Sequence, residues 1–105
     1  MTEYLEVATA TATKEEAVAL VEAVVSNRLA AGAQVIGPVV SAFWHNGEFG
    51  TGEEFRLLLK TRKDRYAELE AFIIEHHPWE RPELNAKTLV ETSADYRDWV
   101  NKNLA

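Results

Sequence analysis

The sequence of 105 residues contains no cysteine, and it has only three prolines and five glycines. Without cysteine the chain can form neither a disulfide framework nor a thiolate metal site, so a transition-metal site would have to use imidazole and carboxylate ligands. The longest apolar-rich run, residues 17–33, is interrupted by Glu22, Asn27 and Arg28, which excludes a membrane-spanning helix there. The opening residues MTEYLEV lack the basic-then-apolar order of a secretory signal, so we expect a cytoplasmic protein.

Basic residues are also scarce, with 11 Lys and Arg against 17 Asp and Glu, which gives a formal net charge of -6. Nucleic-acid-binding proteins usually concentrate Lys and Arg on one face to neutralise phosphates, so this balance argues against a nucleic-acid partner. The hydrophobic share of 47% and the charged share of 27% are ordinary for a globular protein. We therefore expect one folded domain over residues 1–105.

Residue patterns in the first third predict a strand followed by a helix. Leu5 and Val7 alternate with polar neighbours, which is typical of a half-buried strand. Thr13 and Glu16 have the spacing of a capping box, in which each side chain bonds the other residue's free backbone N–H at a helix start. One face of this helix comprises Ala17, Leu20, Val21, Val24 and Arg28, and we expect Gly32 to end the helix.

The middle of the chain predicts a β-hairpin. Residues 33–45 are rich in β-branched and aromatic side chains, with Gly37-Pro38 marking a bend or bulge. Asn46-Gly47 supplies the positive φ angles of a tight turn, so this strand should pair antiparallel with residues 54–61. Gly50 and Gly52 suggest that the start of the second strand is irregular.

The last third predicts a second helix, a short strand and a terminal helix. Residues 61–64 offer a helix cap, and Pro78 ends a helix whose core-facing stripe comprises Leu69, Phe72, Ile73 and His76. Residues 86–91 form the last strand, and Ser93 begins the terminal helix. The order β-α-β-β-α-β predicts an α+β, ferredoxin-like fold, in which both helices pack on one face of a four-stranded antiparallel sheet.

This architecture leaves one sheet face uncovered by the two main helices. Val39, Phe43 and Leu58 place apolar side chains on both faces of the hairpin strands. Because exposed apolar patches are unfavourable in a monomer, we expect self-association through sheet faces or strand edges.

The stretch HHPWERPEL, residues 76–84, is the densest group of candidate functional residues. His76 and His77 are adjacent and point about 100° apart on a helix, so they could not both bind one ion there. A metal site would combine one of them with Glu80 or Glu83, together with Glu54 or His45 of a neighbouring subunit. The alternative is structural: one histidine caps the helix, the other packs at a subunit boundary, and Trp79 anchors a proline-stiffened connector.

The ordered segments RLAAG, GPVVSAF, NGE, LLLKT, HHPWERPEL and SADYRDW resemble the CutA family of divalent-cation tolerance proteins. The resemblance implies a ferredoxin-like homotrimer similar to PII-type signalling proteins, with a role in binding divalent cations such as Cu²⁺. It makes a cleft between subunits the best candidate for a ligand site. The candidate metal ligands are His76, His77 and Glu83, and Lys60 and Glu83 could form either a charged pair in this cleft or an exposed ion pair. The cleft residues are Phe43, Trp44, Lys60, Trp79, Glu83 and Tyr96. One departure is Gly32, which stands where the family often has cysteine.

An enzyme is not predicted, because the scattered Ser26, Ser41 and Ser93 lack a glycine-rich elbow or phosphate loop. An organic cofactor is not expected either. A second reading is a trimeric scaffold or protein-docking module, in an engineered or partner-adapted variant without a metal function. Its docking face on the first helix would comprise Val18, Ala19, Glu22, Val25 and Ser26, which carry little charge.

Overall fold

A computed structural model of the protein describes residues 2–105. The elements in chain order are β1 (Tyr4–Thr11), α1 (Lys14–Ser26), β2 (Gly32–His45), β3 (Glu48–Arg62), a single 3₁₀ turn (Lys63–Arg65), α2 (Tyr66–His76), β4 (Asn85–Leu89) and α3 (Ala94–Asn103). The strands form one sheet in the order β2-β3-β1-β4, and all three pairings are antiparallel. The predicted ferredoxin-like α+β fold is therefore confirmed.

The core lies between one face of the sheet and the helices α1 and α2. Leu57 and Leu59 of β3 are fully buried on this face, as is Val7 of β1. Against them pack the buried residues of the helices, which are Ala17, Leu20, Val24, Leu69 and Ile73. Burying each of the larger side chains contributes about 1.5–3 kcal/mol, so this layer is the main source of stability.

The start of α1 follows the predicted capping box. The Thr13 hydroxyl accepts the Glu16 N–H at 3.1 Å, and the Glu16 carboxylate accepts the Thr13 N–H at 3.2 Å. These two bonds satisfy backbone donors that a helix start otherwise leaves without partners.

The end of α1 differs from the prediction, because the helix stops at Ser26 and Gly32 is the first residue of β2. Arg28 adopts a left-handed φ of 58°. Its N–H donates to the Val25 carbonyl at 2.9 Å, and the Leu29 N–H donates to the Val24 carbonyl at 3.2 Å. This is a Schellman motif with arginine at the position that glycine usually fills, and it puts Arg28 outside the helix and exposed.

The hairpin of β2 and β3 has the predicted turn and is longer than predicted. Asn46 and Gly47 have φ values of 51° and 81°, and the strand register shifts between Ile36 and Val39, where Gly37-Pro38 predicted a bend. The strand β3 begins at Glu48 rather than at Glu54, because Gly50 and Gly52 continue the ladder opposite Phe43 and Ser41. A Cβ at Gly50 would lie 3.2 Å from the Phe43 ring, so glycine makes room for that ring.

The predicted cap of α2 at residues 61–64 is wrong. Thr61 is a buried residue of β3, and its hydroxyl donates to the Leu29 carbonyl at 2.9 Å. Strand pairing continues through Leu5↔Thr61 and Tyr4↔Arg62, so the backbone stays extended until the 3₁₀ turn begins. The helix α2 then starts at Tyr66 without a side-chain cap.

The terminal helix α3 covers one end of the sheet face opposite the core. Its predicted cap is confirmed, since the Ser93 hydroxyl accepts the Tyr96 N–H at 3.2 Å. The side-chain oxygen Oδ1 of Asn101 accepts hydrogen bonds from the Tyr4 hydroxyl and from Arg62 Nη1, both at 3.1 Å. The preceding strand β4 covers Asn85–Leu89 rather than the predicted residues 86–91. Among residues 2–105, no helix combines the length and apolar character needed to cross a bilayer.

Candidate functional site

The two histidines of the HHPWERPEL stretch lie in opposite environments. His76 is the last residue of α2 and is exposed, whereas His77 is 8% exposed. The prediction that His76 faces the core is therefore wrong. The buried line of α2 runs through Leu69 and Ile73 in steps of four, and the next step reaches His77. That spacing was the signal in the sequence that could have identified His77 as the core-facing histidine.

His76 bonds its own helix and leaves one ring nitrogen free. Its Nδ1–H donates to the Phe72 carbonyl at 2.8 Å, and its ring stacks on the Phe72 ring with centroids 4.0 Å apart. Phe72 lies outside the last four residues of α2, whose carbonyls lack a partner in the helix, so this bond is not the predicted cap of the helix end. Within residues 2–105 the Nε2 atom has no hydrogen-bond partner, so its lone pair is available to an external ligand.

His77 uses both ring nitrogens inside the protein. The Nε2 atom lies 2.7 Å from the Ala10 carbonyl oxygen, and the Trp79 backbone N–H donates to Nδ1 at 3.0 Å. Since a carbonyl only accepts and a backbone N–H only donates, the ring is neutral with its proton on Nε2. The predicted structural role is thus assigned to His77, but it packs against β1 of its own chain.

The carboxylate of Glu83 is held by Arg56 of β3. The two groups form a bidentate pair with Nη1–Oε1 and Nη2–Oε2 distances of 2.6 and 2.9 Å, and the Asn85 amide donates to Oε2 at 2.9 Å. The hydrogen bonds from Arg56 lower the pKa of Glu83, and Glu83 in turn raises the pKa of Arg56. Strong charge-assisted bonds of this kind fix the position of the connector relative to the sheet.

The predicted pair of Lys60 with Glu83 is not formed within the chain. Lys60 instead donates to Glu6 of β1 at 3.0 Å, directly across the β1–β3 ladder. Sequence reasoning therefore missed Arg56 as the ion-pair partner of Glu83 and Glu6 as that of Lys60. The alternation of β3 already placed Arg56 and Lys60 on the same face, but only the register shows which acid meets which base.

The predicted metal ligands fit a cation only in part. Both nitrogens of His77 and both oxygens of Glu83 are engaged, whereas His76 presents a free Nε2. Over the described part of the chain, no group of three or more His, Asp or Glu side chains is arranged to hold an ion. Within one protomer the predicted ligands therefore provide one nitrogen with a free lone pair, the Nε2 atom of His76.

The predicted cleft residues lie on four separate parts of the fold. Phe43 and Trp44 are on β2, Lys60 is on β3, Trp79 and Glu83 are on the connector, and Tyr96 is on α3. Their aromatic rings contact nearby residues: Trp44 meets Phe49, Trp79 meets His77, and Tyr96 stacks on Trp99. A Cβ at Gly32 would lie 3.0 Å from Trp99 Cη2, so the indole occupies part of the space a cysteine would need there.

The predicted docking face on α1 is exposed only in part. Ala19, Glu22 and Ser26 are exposed, whereas Val18 and Val25 are half-buried. A shallow depression of about 400 Å³ lies along this face between Lys14 and Glu22. The exposed surface of this depression is mostly apolar, and the depression is open to solvent and does not enclose a pocket.

Comparisons with known proteins give one consistent result. The family model described as CutA1 divalent ion tolerance protein matches residues 5–103. The divalent-cation tolerance protein CutA of Thermus thermophilus is 31% identical over 90 residues, which is 86% of this chain and 87% of that protein.

Two solved structures are similar over nearly the whole chain. The divalent cation tolerance protein Cut A1 of Thermus thermophilus has a TM-score of 0.90 and 28% identity, with 100% coverage of both chains. CutA from Synechococcus elongatus PCC7942 has a TM-score of 0.93 and 27% identity, covering 98% of this chain and 91% of that chain. The chain therefore belongs to the CutA1 family of divalent ion tolerance proteins.

Proposed function

We propose that this protein acts in divalent-cation tolerance as a non-catalytic, cytoplasmic homotrimer that binds a cation such as Cu²⁺ at its subunit boundaries. The observation that carries the proposal is the apolar surface of the β2–β3 hairpin. Val40, Trp44 and Phe49 are 82%, 75% and 64% exposed in a single chain. An uncovered surface of this kind is unfavourable in water, and other copies of the chain would cover it.

The geometry of the hairpin supports assembly. Paired strands of 14 and 15 residues make the molecule elongated, with extents of 45 × 25 × 22 Å. The strands β2 and β4 are the two edges of the sheet, and their free backbone groups can pair with another chain. A projecting hairpin and two open edges allow each copy to contact its neighbours, as a closed ring requires.

The cation part of the proposal depends on His76. Its free Nε2 lies at the end of α2, beside the connector that carries Glu83. Imidazole is a suitable ligand for Cu²⁺ and Zn²⁺, and at each subunit boundary the neighbouring chain would supply the further ligands. The α1 docking face would then have no role in cation binding.

The proposal is tested by mass and by cation affinity together. Sedimentation of the wild-type protein should give about three times the chain mass of 11.8 kDa. Calorimetric titration with Cu²⁺ should show binding that His76→Ala weakens strongly. The control is Glu22→Gln, which neutralises an exposed carboxylate on the α1 face and should leave the affinity unchanged. Equal affinities in wild type and His76→Ala would contradict the cation site, and a monomer at all concentrations would contradict the assembly.

A further inference from the structure

At its α2 end, the connector between α2 and β4 is attached to the sheet by the imidazole of His77. His77 follows the last residue of α2, and its φ and ψ of -74° and 137° turn the chain out of the helix. Its side chain then reaches the Ala10 carbonyl near the end of β1. The chain therefore changes direction and is attached to the sheet at the same residue.

The second bond of the ring shapes the connector itself. The Trp79 N–H donates to Nδ1 of the residue two positions earlier, across Pro78. This is the arrangement of an Asx-turn, with an imidazole nitrogen in place of the usual side-chain oxygen. The Trp79 ring lies 5.1 Å from the His77 ring, so the turn and the indole are held together.

We propose that His77 is a positioning residue that fastens this connector to β1, and that His76 is the histidine of the pair that meets the cation. The first half stands on the hydrogen bonds of His77 alone. The second half rests on the proposed function and on the free Nε2 of His76. The two neighbouring histidines thus have different roles: His77 holds the segment that carries Glu83 in place, and His76 presents a ligand nitrogen.

This difference in role follows from the hydrogen bonds that the two imidazole rings already make. A ligand nitrogen must offer a lone pair, and in His77 one lone pair accepts a backbone N–H while the other nitrogen carries the proton. Cation binding by His77 would break a buried bond and leave a polar group without its partner. In His76 the helix carbonyl holds the proton on Nδ1, so Nε2 already has the lone pair that a cation requires.

The first test is the tautomer in the metal-free protein. Nitrogen-15 imidazole spectra at mildly alkaline pH should show His77 with protonated Nε2 and unprotonated Nδ1. The opposite tautomer, or rapid exchange between the two, would overturn the positioning role. Addition of Zn²⁺ should then shift the Nε2 signal of His76 and leave both His77 nitrogens unchanged. A shift of the His77 nitrogens to a metal-bound position would overturn the division of roles.

The second test uses two substitutions of His77, each of which keeps one of the two hydrogen-bonding positions of the ring. His77→Asn keeps an acceptor at the δ position, so the Trp79 amide should stay protected from hydrogen exchange. His77→Gln keeps a donor at the ε position but lacks the δ acceptor, so exchange at Trp79 should accelerate by a factor of about ten. Equal exchange in the two variants would contradict the assignment of the bonds.

A matched control distinguishes positioning from general destabilisation. Thr61→Val also removes a buried side-chain bond to a backbone carbonyl, far from the connector along the chain. It should lower global stability while leaving the Trp79 amide as protected, relative to global unfolding, as in wild type. If Zn²⁺ shifts the nitrogen-15 signals of neither histidine, the proposed cation function fails. The tautomer and the hydrogen-exchange results still decide whether His77 is a positioning residue.

Discussion

Arg56 and Glu83 join the centre of the sheet to the connector after α2 through two parallel hydrogen bonds of 2.6 and 2.9 Å. The residues are 27 positions apart in the chain, and both side chains are partly exposed. The pair places a carboxylate on the open face of the sheet, close to the C-terminal end of β1. Together with the bond from His77 to the Ala10 carbonyl, it attaches the connector of the candidate site to the sheet.

Replacing Glu83 should reveal a pH-dependent contribution to stability. The pKa of Glu83 is lowered in the fold, so its stabilisation is present above the ordinary glutamate pKa and is lost as pH falls through the lowered pKa. Allowing for solvent screening, Glu83→Gln should reduce the free energy of unfolding at neutral pH by about 0.5–1 kcal/mol. Chemical denaturation across the acid range measures this difference, which should vanish at low pH.

The control for this experiment is Glu80→Gln on the same connector. Glu80 is exposed and has no ion-pair partner within residues 2–105, so its replacement should have little effect at any pH. A Glu83→Gln difference that stayed constant from neutral to acid pH would show that the charge on Glu83 does not stabilise the fold.

Arg28→Gly should stabilise the protein. Arg28 holds a left-handed φ of 58°, a conformation that costs a residue with a Cβ about 1 kcal/mol and costs glycine almost nothing. Part of the gain is offset by the greater backbone freedom of glycine in the unfolded chain, so we expect a net increase of about 0.5 kcal/mol. Thermal unfolding measures it. Glu22→Gly, in the exposed interior of α1, should instead destabilise by about 1 kcal/mol. A loss in both variants would argue against strain at Arg28.

Gly37→Ala should destabilise the hairpin. A Cβ there would lie 2.6 Å from Phe55 Cδ2 and 3.0 Å from the Glu54 carbonyl oxygen, and the backbone atom cannot easily move away. We expect a loss of about 1–3 kcal/mol by overpacking. Gly52→Ala is the matched control, since its Cβ would be 3.9 Å from the Phe43 ring. Similar unfolding curves for the two variants would refute the steric account.

Polar substitutions on the hairpin should weaken self-association. Trp44 and Phe49 contact each other edge-to-face with centroids 5.8 Å apart. The double variant Trp44→Ser, Phe49→Ser removes apolar area that another copy would cover, so the sedimentation mass should fall toward that of one chain at low concentration. Ile74→Ser removes an exposed apolar side chain from α2 and should leave the mass unchanged. An unaltered mass in the double variant would locate the interface elsewhere.

The features that could be predicted from the sequence depend on residues that are close in the chain. The capping box of Thr13 and Glu16, the turn at Asn46-Gly47 and the helix end before Pro78 each involve a few consecutive residues and backbone angles. The element order follows from these signals together with hydrophobic periodicity, and the resemblance of HHPWERPEL to a family motif rests on the same local pattern. At these positions the local backbone preferences are strong enough to determine the structure without knowledge of distant parts of the chain.

Only the tertiary structure decided which distant groups meet. The register of β1 on β3 extends the strand through Thr61 and overrides a local capping pattern. It also pairs Lys60 with Glu6, which leaves Glu83 to Arg56. Two adjacent histidines have identical chemistry in the sequence, but α2 turns one toward solvent and the other toward the Ala10 carbonyl. These outcomes depend on sums of long-range packing and hydrogen-bond energies, which a local sequence pattern does not contain.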